Sequence, residues 1–305
     1  MKVILDWVPN QTANEHPWRT EHPDWYNGKH TYADISDLDY DNEEMKAEMM
    51  RIMKSWIERC DIDGFRFDFV TNTKPSYWLS ANQEQKEYAA SVGKSELILL
   101  AEIDTNDNPR FSNKTNDIGF THDYAWWLQE TVLKNGFAKD GNISKLKQNL
   151  QKFVDDSKTL GLSRMVYLTN HDQNWDDKDE TMLALIKQLC DLKHTHQALN
   201  DKADISFLSV DNADILAYER TSGDSRVLVV LNFGSTEATV NIDGESLTLA
   251  AHSGKIVAGE STGMTAISID TQQADAVYTL SGRRVEGNNI PKGIYIRNGH
   301  KYVKL

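Results

Sequence analysis

From residue 1 to about residue 200, short apolar runs of strand length alternate with stretches whose apolar residues recur at helical spacing, and beyond that point the texture changes. A chain written this way folds as repeated βα units around a parallel sheet. The strand-like runs cover 3–7, 64–70, 97–103 and 165–169, with a short run ahead of Asp123. Helical patterns cover about 41–56, 77–91, 143–156 and 180–199. In the first of them Asp41 is placed to cap the helix, and Met45, Met49, Ile52, Met53 and Trp56 form one stripe that reads as core. After Asn200, runs such as ILAYER and RVLVVLNF are separated by turn pairs, Ser222-Gly223 and Asp243-Gly244, which predicts a small antiparallel β-sandwich over 203–258. The stretch GESTGMTA that follows reads as a linker, and 268–305 reads as a small β tail.

Charge narrows the function. Lys and Arg total 33 against 46 Asp and Glu, a formal charge of −13 that excludes a protein built to track nucleic-acid phosphates. No apolar run reaches the roughly 20 residues of a membrane helix, so no membrane span is expected. The start, MKVILDWVPN, has no signal-peptide stretch, and the two cysteines, Cys60 and Cys190, are too few for a disulfide framework.

Four apolar runs carry carboxylates at their ends: VILD at Asp6, GFRFDFV at Asp68, LILLAE at Glu102 and MVYLTNHD at Asp172. In a parallel αβ barrel the active site forms at the carboxyl ends of the strands, which makes all four candidates. One strand-end acid serves equally well as the cap of the next helix. Four together, with an arginine and an Asn-His-Asp triplet, ask for more. Strand period two puts Arg66 and Asp68 on one face, where the guanidinium would keep the carboxylate ionised as a nucleophile requires. Glu102 has no cation beside it in sequence, so burial would leave it protonated as a proton donor. Two carboxyls in unlike settings make a glycosidase pair, held about 5 Å apart in a retaining enzyme.

DWVPNQT, GFRFDFV, the Glu of LLAEI, and LTNHD, in that order, resemble the four sequence blocks of the alpha-amylase family. The resemblance implies an α/β fold, a partial TIM-type (β/α) barrel over 1–200 followed by the β-sandwich and the tail. It implies a retaining hydrolase of α-1,4-linked glucans such as starch and maltooligosaccharides, or an α-glucan transglycosylase. Carried over by motif, Asp68 is the nucleophile, Glu102 the general acid/base and Asp172 the stabiliser of the transition state. Arg66 orients the nucleophile, His171 bonds sugar hydroxyls, and Asp6 supports the site. Asn10 matches a position that often binds calcium, but Thr71-Asn72 stands where many calcium-binding amylases carry Lys-His, so no cofactor is required and calcium is optional. The loop HPWRTEHPDWY also resembles the family, and offers Trp25 and Tyr26 as platforms for sugar faces, with packing against the barrel as the alternative and the preferred one for Trp18. The tail resembles sorting segments of secreted Bacteroidetes proteins, which implies an extracellular, cell-surface or periplasmic location.

Two departures matter. The first block ends Asn10-Gln11 where the family has Asn-His, and Gln11 can bond a sugar hydroxyl but carries no charge. That block also belongs at the third barrel strand, and only QNWDDKDETM separates Asp172 from the helix leading to the sandwich, so the resemblance spans strands three to seven and leaves out strands one, two and eight. A parallel barrel with missing staves has open edges, and this motivates the alternative of a catalytically impaired or inactive glucan-binding remnant.

Overall fold

The computed structural model describes residues 2–104, 117–167, 170–171 and 180–260, and beyond these five strands of the C-terminal region. It divides into two units, Met1–Gly136 with Asp155–Tyr167, and Phe137–Val154 with Leu168–Leu305.

The first unit contains β1 (Ile4–Trp7), a hairpin of β2 (Gln11–Ala13) and β3 (Ile35–Asp37) around α1 (Trp18–Glu21), then α2 (Glu43–Cys60), β4 (Gly64–Phe67), α3 (Pro75–Ser91), β5 (Ile98–Ala101), β6 (His122–Tyr124) and β7 (Ser163–Met165). Strands β1, β4, β5, β6 and β7 form one sheet in that order. Every pairing in it is parallel, as the βα alternation predicts. The five strands are the ones the resemblance numbers three to seven.

Helix α2 is capped by Asn42, whose side chain accepts the Met45 N–H at 3.0 Å, so the cap falls one residue after the expected Asp41. Met45, Met49, Met53 and Ile57 recur every fourth residue and are buried, whereas Trp56, expected in that stripe, is 39% exposed. The core beneath the sheet packs Phe65 and Phe67 of β4 against Trp78 of α3 and Met53 and Ile57 of α2.

Gly64 admits β5 to contact distance: a Cβ there would stand 1.9 Å from the Ile98 carbonyl oxygen, on backbone that cannot yield alone. Gly64→Ala is therefore expected to lower unfolding stability by about 1–3 kcal/mol or more. Denaturant midpoints measure it, and a variant as stable as the parent would show that the two strands are not so closely apposed.

In the second unit α4 (Ala138–Asp140) and α5 (Ile143–Leu160), whose last turns belong to the first unit, precede α6 (Glu180–Thr195). Strands β8 (Asp204–Phe207), β9 (Ile215–Ser222) and β10 (Ser225–Asn232), the hairpin β11 (Ala238–Ile242) and β12 (Glu245–Leu249), then β13 (Ser253–Glu260) and β14 (Gly263–Ile269) follow. Sheet β14-β13-β10-β9-β8 buries Ile215, Ala217, Leu228 and Val230 with Val240 and Leu249 of the hairpin, which is the expected antiparallel sandwich. Val227, Val229 and Ile256 are buried together with Leu192, so α6, assigned by sequence to 1–200, joins the sandwich unit. At both ends the stretch expected to be a linker is strand instead: Glu260 ends β13 and pairs with Gly263, from which β14 runs to Ile269. Its Gly and Ser content hid a period-two pattern, Ile267 and Ile269 around Ser268. The tail forms a four-stranded antiparallel sheet of β15 (Val277–Thr279), β16 (Arg284–Val285), β17 (Gly293–Arg297) and β18 (His300–Lys304). No helix among the described residues is long and apolar enough to cross a membrane.

Candidate active site

Three of the four expected acids meet on one guanidinium. Parallel registry sets Asp6 of β1 beside Arg66 of β4 and Arg66 beside Leu100 of β5. The chain continues each strand by a residue or two, with Asp68 N–H donating to Trp7 O at 2.9 Å and Glu102 N–H to Phe67 O at 3.0 Å. Arg66 Nη1 donates to Asp6 Oδ1 at 2.9 Å and to Asp68 Oδ1 at 2.7 Å, and Nη2 lies 2.6 Å from Glu102 Oε1. Exposure of the side chains falls from Asp6 at 58% through Asp68 at 28% and Glu102 at 15% to Arg66 at 7%, so the cation is the floor of the group. Burial opposes the charge on Arg66, but the bonds to Tyr124 and Asp6 and the attraction of Glu102 outweigh it, and the guanidinium is held above its ordinary range.

The shared face of Arg66 and Asp68 is as strand period two predicts. Glu102 departs from its expected setting. Its surroundings are not uncharged, because Arg66 reaches it from the neighbouring strand and the Phe69 N–H donates to Oε2 at 2.5 Å. Both of its oxygens meet donors.

Tyr124 was not foreseen. Its hydroxyl accepts Arg66 Nε at 3.2 Å, and its backbone oxygen accepts Arg164 Nη2 at 3.1 Å. Arg164 pairs with Asp104 at 2.7 Å and Asp123 at 2.5 Å, with all three side chains at 0% exposure, and Asp104 also accepts the Trp127 N–H at 2.6 Å. A second, buried arginine therefore underlies the first. The available signal is a strand-end Asp-Tyr pair, Asp123-Tyr124, with Arg164 on the adjacent strand.

Asn10 is 3% exposed, and its amide N–H groups donate to Asp68 O at 3.2 Å and Phe69 O at 2.9 Å. Its Oδ1 accepts Thr73 Oγ1–H at 2.8 Å. Calcium takes about six to eight oxygens, and Asn10 turns its polar atoms inward instead. Among the described residues there is no group of three or more His, Cys, Asp or Glu able to hold a metal. In this structure Asn10 clamps the backbone after Asp68.

Gln11 stands half-buried at the head of β2. Trp25 and Tyr26, offered as sugar platforms, are 3% and 8% exposed and pack with Leu38, Met45 and Met49. His22 stacks on Trp25 at 3.9 Å, Trp18 meets its edge at 4.9 Å, and Tyr26 OH bonds Thr12 Oγ1 at 2.8 Å. Both rings fix the loop to α2, and they are withdrawn as platforms because their faces are covered. His171 is exposed and belongs to the second unit. Asp172 lies outside the described residues.

The family model for the alpha amylase catalytic domain matches residues 18–175, and that for the maltogenic amylase C-terminal domain matches 205–259. Alpha-amylase MalA of Haloarcula japonica is 25% identical over 90% of this chain and 49% of its own length. An alpha-1,4-glucan:maltose-1-phosphate maltosyltransferase of Mycolicibacterium smegmatis is 23% identical over 86% of this chain and 46% of its own. The chain thus spans about half the length of the curated relatives it matches. Among solved structures, the maltogenic alpha-amylase AmyB of Thermotoga neapolitana superposes with a TM-score of 0.61 at 17% identity, over 88% of this chain and 77% of that one. The Nostoc punctiforme debranching enzyme superposes with a TM-score of 0.65 at 17% identity, over 85% and 76%.

Proposed function

The chain belongs to the alpha-amylase catalytic-domain family, and on that premise we propose that it is a retaining glycoside hydrolase of α-1,4-linked glucans. The observation that carries the reading is the grip of one guanidinium, Arg66, on both Asp68 and Glu102. Asp68 attacks the anomeric carbon as the bond to the leaving sugar oxygen breaks, and Glu102 delivers the proton to that oxygen. Water then enters, Glu102 takes its proton, and the bond to Asp68 is cleaved. Because both oxygens of Glu102 meet donors in this arrangement, the bound glucan has to draw that carboxyl from the Phe69 N–H or from Arg66 before it can protonate anything. Asp172 and His171 favour the cation-like sugar in this proposal, and Asp6 braces Arg66. No metal enters any step, and the resemblance of the tail sequence to sorting segments favours a chain that acts outside the cytoplasm.

The test is maltopentaose with the purified chain, followed by proton NMR of the fresh product. The α-anomer is expected first, and first appearance of the β-anomer would refute retention. Similarity to maltosyltransferases favours a second outcome of the same chemistry, in which a sugar hydroxyl replaces water, and products longer than the substrate would reveal it. Gln11, standing where the family has His, favours the glucan-binding remnant, which retention on a starch column without any cleavage would identify.

A further inference from the structure

The segment after β4 breaks its own alternation. Phe65 and Phe67 share one face of the strand and are 0% exposed in the core. Strand period two puts Phe69 on that same face. Instead Phe69 takes left-handed backbone, φ 43 and ψ 53, and is 52% exposed. Val70 enters the core in its place, at 0% exposure, where its carbonyl accepts the Trp78 indole N–H at 3.1 Å. The diversion is unfavourable twice, since left-handed backbone strains a residue with a Cβ and the ring gives up burial.

Four hydrogen bonds maintain it, all on backbone. Asn10 donates to the carbonyls of Asp68 and Phe69, the Phe69 N–H donates to Glu102, and the Asn72 N–H donates to Phe69 O at 3.1 Å. Among the described residues no aromatic ring or cation stacks on the Phe69 ring. A large apolar side chain diverted from the core at a conformational cost marks function, not folding. The residue that carries this ring directly follows Asp68, and its backbone N–H lies 2.5 Å from Glu102 Oε2.

We infer that Phe69 contacts the substrate directly, its exposed ring stacking on the apolar C–H face of a pyranose beside the scissile bond, an inference that rests on the glycosidase reading. It supplies the platform that Trp25 and Tyr26 do not.

Phe69→Gly deletes the ring and relieves the backbone at once. The KM for maltopentaose is expected to rise about three- to tenfold while kcat stays within about twofold, the mark of binding shared by ground and transition states. The melting temperature should hold or rise, and Phe69→Trp should keep the parent KM. An unchanged KM for Phe69→Gly, or a melting temperature that falls together with kcat, overturns the inference. If Phe69→Gly does not fold, Phe69→Asn, which tolerates left-handed backbone, gives the same readout. If the unsubstituted chain neither binds nor cleaves maltopentaose, the glycosidase reading fails and takes the inference with it, whereas a cleaving parent with an unaffected variant sinks the Phe69 assignment alone.

Discussion

Asp68→Asn is expected to abolish turnover and leave the fold standing. The amide has nearly the shape of the carboxylate and still offers an oxygen to Arg66 Nη1, while Asp6 and Glu102 keep their own contacts with that guanidinium. The backbone bond from Asp68 N–H to Trp7 O does not involve the side chain. What is lost is the nucleophile, since an amide oxygen forms no comparable bond to an anomeric carbon. The kcat on maltooligosaccharides should fall by at least about a thousandfold, or ~4 kcal/mol of barrier, with KM within a few-fold of the parent and an unchanged melting profile. Activity surviving within about tenfold would show that Asp68 does not attack, and a parallel collapse of the melting transition would make the side chain structural.

The parts of this site visible in the sequence were those set by local periodicity. Arg66 and Asp68 are two residues apart in a strand, so their pairing follows from parity without knowledge of any neighbour. The strand-end positions of Asp6 and Glu102 follow from where each apolar run stops. The link from Glu102 to Arg66 depends on parallel registry between β4 and β5, which sets Arg66 beside Leu100 and cannot be read from either strand alone. The same holds for Arg164, whose partners Asp104 and Asp123 arrive from other strand ends. Composition misled in two places. An aromatic loop has the same letters whether its rings face sugar or seal a core, and Trp25 and Tyr26 seal a core because α2 presents Met45 and Met49 to them. Phe69 is the converse case, a ring that alternation assigns to the core and that a clamp from Asn10, distant in sequence, turns outward. The motif that singles out Asn10 does not say which way its amide points, and here it points into the backbone after Asp68.

The largest effect on stability is expected at Arg164. Its side chain, like those of Asp104 and Asp123, is at 0% exposure, and β6–β7 registry sets it beside Asp123. Arg164→Met fills similar volume but leaves two buried carboxyl groups without their cation and the Tyr124 carbonyl without a donor. Breaking a buried pair from one side typically costs about 3–5 kcal/mol, whereas removing all its charges together is often nearly neutral. The single variant should therefore unfold at a clearly lower denaturant concentration, and Arg164→Met combined with Asp104→Asn and Asp123→Asn should recover part of the loss, the Asn oxygen at 104 still accepting the Trp127 N–H. A single variant within about 1 kcal/mol of the parent, or a triple variant weaker than the single, would show that the buried charges are not the source of the stability. Arg164 holds the backbone of the residue whose hydroxyl takes Arg66 Nε. Structural and functional arginines are thus joined through Tyr124, and in the triple variant the restored fold should return more stability than turnover, because neutral groups refill the space without fixing the angle of Tyr124.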